Sequence, residues 1–136
     1  MTPFTNHAVA QAFEAYPADV RVKLLALREL IFRVAATTQG VGAIDETLKW
    51  GEPAYLTSQS KSGSTLRLGW KKSAPQQVAM YFNCQTTLVE TFRTMFPRDF
   101  KFEGNRVLVW ATADVVATEA LGFCIAMALT YHHRRR

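Results

Sequence analysis

The chain has 136 residues and a mass of 15.3 kDa, of which 49% are hydrophobic and 20% charged. That is enough apolar side chain for one packed domain and too little charge for a disordered chain. Two cysteines exclude a disulfide-stapled scaffold, and seven glycines with five prolines exclude a collagen-like or low-complexity repeat.

In chain order, a short helix is expected over Asn6 to Ala15, with Thr5 or Asn6 placed to cap its free N–H groups. Pro17 suits the first turn of a second helix. Val20, Leu24, Leu27, Ile31 and Val34 form its apolar stripe, Arg21, Lys23, Arg28 and Arg33 fall outside that stripe, and Gly40 and Gly42 end it. After Gly42 the hydrophobic period shortens to two. Glu46–Trp50 and Ala54–Thr57 read as short strands around a Gly51-Glu52-Pro53 turn, and Ser58–Ser64 reads as a polar loop. Thr65–Lys71 and Gln77–Asn83 are the clearest strands, joined across residues 72–75. Thr86–Met95 reads as a helix, and Asp99–Glu103 with Arg106–Trp110 as a hairpin about Gly104-Asn105. A last helix, capped by Thr112 or Asp114, runs towards His132. Its uncharged stretch Ala120–Tyr131 is 12 residues long, short of the roughly 20 a membrane span needs.

Short connections between strands require antiparallel pairing. The expected fold is therefore α+β: one domain over residues 1–136, with an antiparallel sheet of about five strands, N-terminal and C-terminal helices packed mainly on one face, and a basic tail over residues 133–136. Alternation assigns Leu48 with Trp50, then Leu66, Leu68, Trp70, Val78, Met80, Phe82, Phe100, Phe102, Val107 and Val109 to the core face. The opposite face then carries Lys49, Arg67, Lys71, Tyr81, Lys101, Glu103 and Arg106. Leu108 and Trp110 lie either on that face or beneath the first helix.

Lys49, Glu52, Arg67, Tyr81, Arg106 and Trp110 are the candidate ligand-binding residues, because cations interleaved with aromatic rings can hold an anionic or planar molecule. Glu52 either lines the mouth of that site or pairs with Lys49 or Arg67 as a surface ion pair worth about 0–1 kcal/mol.

The run Leu48-Lys49-Trp50-Gly51-Glu52-Pro53-Ala54-Tyr55 resembles the central motif of the YdhG-like family, a bacterial domain family of unassigned function. The likeness continues through Tyr16-Pro17, Leu27–Ile31, Gly63–Arg67, Trp70-Lys71, Ala79–Cys84, Thr87-Leu88 and Phe102–Arg106, in the same order. The resemblance implies a small cytosolic α+β domain, and for some relatives a frataxin-like role as an iron chaperone. Iron enters as a cofactor by that resemblance alone. Hard cations want clustered oxygen ligands, and here the only adjacent carboxylates are Asp45 and Glu46.

Phosphate-loop, dinucleotide-fold, zinc-protease and Cys-x-x-Cys motifs are all missing from the chain. No catalytic or metal-binding set stands out. The net charge of +5 includes Arg134, Arg135 and Arg136; without them 13 cations face 11 acids, and a body of +2 is not the footprint of a nucleic-acid binder. The amino end lacks the basic and apolar regions of a signal peptide. Cys84 and Cys124 suit a reducing compartment as free thiols, so the expected location is cytoplasmic. The expected function is non-catalytic binding of a small anionic ligand or a protein partner, with no membrane association; the alternative is the iron chaperone.

Overall fold

Asn6 opens α1 (His7–Ala15): its side chain accepts the Val9 N–H at 3.2 Å, satisfying one of the donors that a helix start leaves free. Arg21, in α2 (Ala18–Thr37), closes α1 by donating to the carbonyls of Phe13, Glu14 and Tyr16. The strands are β1 (Asp45–Lys49), β2 (Glu52–Leu56), β3 (Leu66–Lys71) and β4 (Ala74–Tyr81). After α3 (Leu88–Met95) come β5 (Lys101–Glu103) and β6 (Val107–Ala111), then α4 (Thr118–Leu129) and the single turn α5 (Tyr131–Arg134). This computed structural model describes residues 1–83 and 86–134. Cys84, Arg135 and Arg136, and with them the pairing state expected of Cys84 and the end of the basic tail, lie outside the described residues.

The fold is α+β, as expected, with six strands rather than about five. They form one sheet in the order β1-β2-β3-β4-β6-β5, and every neighbouring pair is antiparallel. Val20, Leu24, Leu27 and Ile31 of α2 and Leu121, Cys124, Ile125 and Ala128 of α4 bury against Tyr55, Leu66, Leu68, Val78, Met80 and Leu108 in one continuous core. On the other face Ala79, Val107 and Val109 form a small separate cluster with Tyr81 at its border. Truncating one of the fully buried leucines to alanine costs about 2–5 kcal/mol in such surroundings. The helices therefore cover one face and leave the other open.

Three expectations are corrected. Alternation with Leu48 puts Trp50 in the core, but the β1–β2 connection is the two-residue turn Trp50-Gly51, flanked by the paired Lys49 and Glu52. Its central residues have φ of 56° and 77°, the left-handed pair of a type I′ hairpin turn, and Trp50 is 89% exposed. Glu52 and Pro53 belong to the strand, not to the turn. Second, β6 is one residue out of phase with its expected faces: Leu108 and Trp110 enter the core, while Val107 and Val109 lie on the open face. Third, Arg28 is completely buried despite standing outside the apolar stripe.

Smaller shifts have local causes. The Lys72-Ser73 turn is tight, so β4 begins at Ala74. Asp114 does not cap the last helix; its carboxylate instead accepts the Ala111 N–H at 2.8 Å, and α4 begins at Thr118. The Ser58–Ser64 segment is partly interior. Ser62 donates its hydroxyl to the Leu129 carbonyl at 2.7 Å, and a Cβ on Gly63 would stand 2.5 Å from the Leu129 backbone, so only glycine allows this loop to lie against the end of α4.

Candidate functional site

The open face of the sheet holds a depression of about 260 Å³ lined by Lys49, Thr65, Arg67, Tyr81, Phe82, Asn83 and Arg106. Register brings these residues together. Arg67 on β3 stands opposite Tyr81 on β4, Tyr81 stands opposite Val107 on β6, and Arg106 immediately precedes that strand. Lys49 comes from the end of β1, two strands away from Arg67. Four of the six sequence-predicted residues thus converge on one concavity.

Glu52 is the fifth. Its carboxylate lies 2.7 Å from Arg67 Nε, and it is Arg67 rather than Lys49 that takes it as ion-pair partner. The Arg67 guanidinium carbon sits 4.7 Å from the centre of the Tyr81 ring, a cation–π contact. Gly69 makes this arrangement possible: a Cβ there would meet the Glu52 carboxylate at 2.3 Å and the Tyr81 ring at 2.6 Å. Both side chains fold down over a residue that has no side chain.

The electrostatics follow from burial. Burial pushes the Glu52 carboxyl above its ordinary pKa, and the neighbouring Arg67 and Lys71 recover only part of the shift. Burial and the Glu52 charge also push the Tyr81 phenol up, so it remains protonated at neutral pH and able to donate. Among the described residues Lys49 and Arg106 make no ion pair, and the two Nη groups of Arg67 make no hydrogen bond. Three cations against Glu52 leave the depression with a charge of +2.

Trp110, the sixth predicted residue, is not at this site. Its indole lies in the core, 3% exposed and edge-on to Phe100 at 6.2 Å, with no acceptor for its N–H among the described residues. The β6 run Val107-Leu108-Val109-Trp110 is apolar in both phases, so alternation alone does not say which set faces the helices.

Sequence reading missed two other features. A second hollow of about 280 Å³, lined by Gly63, Ser64, Thr65, Asn83, Thr86, Tyr131 and His132, adjoins the first, with Thr65 and Asn83 belonging to both. A larger one of about 670 Å³ lies across the start of α4, walled by Phe96, Val116 and Phe123 and edged by Asp99 and Glu119. Those two carboxylates make it unfavourable for an anion. Asp45 and Glu46, the adjacent carboxylates, are parted by strand alternation: Asp45 is exposed, and Glu46 is bound by Arg28 and by the Tyr55 hydroxyl at 2.7 Å. Among the described residues no group of three or more His, Cys, Asp or Glu is gathered where it could hold a metal ion. No helix among them is long and apolar enough to cross a membrane.

What the fold and site define is an α+β domain with a basic, tyrosine-floored depression on its uncovered sheet face. No family model matches the chain, and neither does any curated protein or solved structure.

Proposed function

We propose that this protein is a non-catalytic binding protein that takes a small anion in the depression between Lys49, Arg67 and Arg106. The observation that carries this reading is the charge imbalance: three cations drawn from three separate segments surround one hollow, and among the described residues only Arg67 of the three is ion-paired. Charge-assisted hydrogen bonds from guanidinium groups are the strong and directional kind, and arginine suits a planar or tetrahedral oxyanion. Tyr81 adds a neutral donor and an apolar floor, the usual mixture in a ligand site. Among the described residues the lining offers cations, a phenol, a hydroxyl and an amide but neither His nor Cys, which supports binding over nucleophilic chemistry.

The ordered motifs from Tyr16-Pro17 to Arg106 support membership of the YdhG-like family, and the expected free thiols support a cytoplasmic setting. The test is calorimetry with inorganic phosphate and sulfate on the whole chain and on the Arg67→Ala/Arg106→Ala double variant. A loss of about tenfold or more in affinity, with circular dichroism unchanged, is the expected result, since each charge-assisted bond contributes on the order of 1.5–3 kcal/mol. Undiminished affinity in the double variant would remove this face from consideration.

A further inference from the structure

We infer that the anion bound here carries a planar aromatic ring, with a mononucleotide as the fitting chemical class, and that Trp50 is the surface on which the ring stacks. This rests on the reading of the depression as an anion site and adds to it the identity of the ligand. Trp50 stands 89% exposed at the tip of the β1–β2 hairpin, whereas Trp70 is half-buried with its N–H donated to the Pro75 carbonyl and Trp110 is in the core. Among the described residues its indole makes no hydrogen bond or ring contact. The turn itself argues against tryptophan. A left-handed φ of 56° is strained for a bulky residue, and hairpin turns of this kind take Asn or Gly at the first central position. Neither the core nor the turn accounts for the indole. Strained backbone that presents a side chain to solvent is a mark of function.

Position supplies the second half of the argument. Trp50 follows Lys49, whose side chain lines the depression, and successive Cα atoms are about 3.8 Å apart. Trp50 is not itself in the lining, but its side chain starts from the backbone position next to Lys49, so a small molecule that carries both a ring and a phosphate is the ligand that would engage the two together. The site's +2 matches the roughly −2 of one terminal phosphate at neutral pH. The three cations gather on one hollow, and the hollow that adjoins it has no Lys or Arg among its described lining residues, whereas a strand with a phosphate at every residue would need cations in series. The free nucleotide is therefore favoured over a single-stranded nucleic acid that would present the same ring and phosphate.

The experiment compares adenosine monophosphate, inorganic phosphate and a short single-stranded oligothymidylate on the whole chain, by calorimetry and tryptophan fluorescence. The expected result is that the nucleotide binds about tenfold or more tightly than phosphate and quenches the exposed tryptophan, since stacking on an aromatic side chain is strong for any base. Trp50→Asn should erase that gain, leave phosphate affinity unchanged and raise the melting temperature, because Asn accepts the left-handed turn. Trp50→Phe should keep most of the gain. A nucleotide no tighter than phosphate, or Trp50→Asn binding it like the parent, would overturn the inference while leaving the anion site standing. Failure of both phosphate and nucleotide to bind would overturn both. An oligonucleotide far tighter than the mononucleotide would overturn the free-nucleotide assignment in favour of a strand.

Discussion

Two arginines on opposite faces of the sheet put the same group to opposite uses. Arg28 is fully buried, and each of its five N–H donors has a partner. Its Nε and one Nη2 N–H meet the Glu46 carboxylate at 2.6 and 3.0 Å, the other Nη2 N–H meets the Pro3 carbonyl, and Nη1 meets the Thr2 carbonyl and Glu29. Phe4 and Phe32 cover it at 3.9 and 4.9 Å. Arg67 also stacks on an aromatic ring and also faces a glutamate, yet it is part-exposed and its Nη groups are unclaimed among the described residues. A saturated guanidinium has nothing left to offer a ligand and instead ties the amino-terminal residues to α2 and to the edge strand β1. An unsaturated one, held in place by a single carboxylate, is equipped to bind. Counting donors against acceptors separates an architectural cation from a functional one where charge and burial of the ring partner look alike.

The sharpest way to break this comparison is Arg28→Met. It should destabilise the fold by about 3–5 kcal/mol in chemical denaturation, because the Glu46 carboxylate, 4% exposed, is left without its counter-ion. A loss below about 1 kcal/mol would mean that the pair is dispensable and Arg28 not architectural.

Gly69→Ala comes next. The new methyl must displace the Glu52 carboxylate or the Tyr81 ring, so a loss of about 1–3 kcal/mol is expected. Weakened anion binding should accompany it, since the ring that supports Arg67 would move.

Acidity sharpens the comparison without touching Arg67. A carboxyl whose pKa is raised on folding keeps its proton to higher pH in the folded chain than in the unfolded one. Its contribution to stability is thus full below the unfolded value, about 4.3 for glutamate, and is lost as pH rises through the folded value. Protonation also takes the site from +2 to +3. Sulfate, whose charge is constant over this range, should bind more tightly as pH falls from neutrality towards that window. Glu52→Gln should bind it severalfold more tightly at neutral pH and lose this part of the pH dependence. An identical pH profile in the variant would show that Glu52 is not the titrating group.

The smallest effect expected is that of Arg67→Ala on stability. With side chains 29% and 23% exposed, the Arg67–Glu52 pair should contribute about 0–1 kcal/mol. The thermal transition should scarcely move, even where anion binding falls.

Much of the site was legible in the chain. Arg67 and Tyr81 could be placed on one face because β3 and β4 alternate cleanly between apolar and polar residues, and Lys49 follows from its alternation with Leu48. Arg106 falls in with them only on a phase of β6 that the structure reverses, and it lines the depression from just before that strand. The antiparallel sheet and the Asn6 cap rest on equally local rules, turn length and side-chain capping chemistry. Tertiary structure decided what local rules leave open. In β6 both phases are apolar, so only the helices packed on one face select Leu108 and Trp110 over Val107 and Val109 as core. Trp50 looks like a core residue by its parity with Leu48, and it became a solvent-facing indole because hairpin closure at Gly51 falls one residue earlier than Pro53 suggested. Arg28 looks like a surface residue by its position off the apolar stripe. Its burial depends on Glu46, 18 positions away, and on carbonyls 25 and 26 positions back. A buried charge is tolerable only when all its partners arrive together, and the assembled fold is what brings them there.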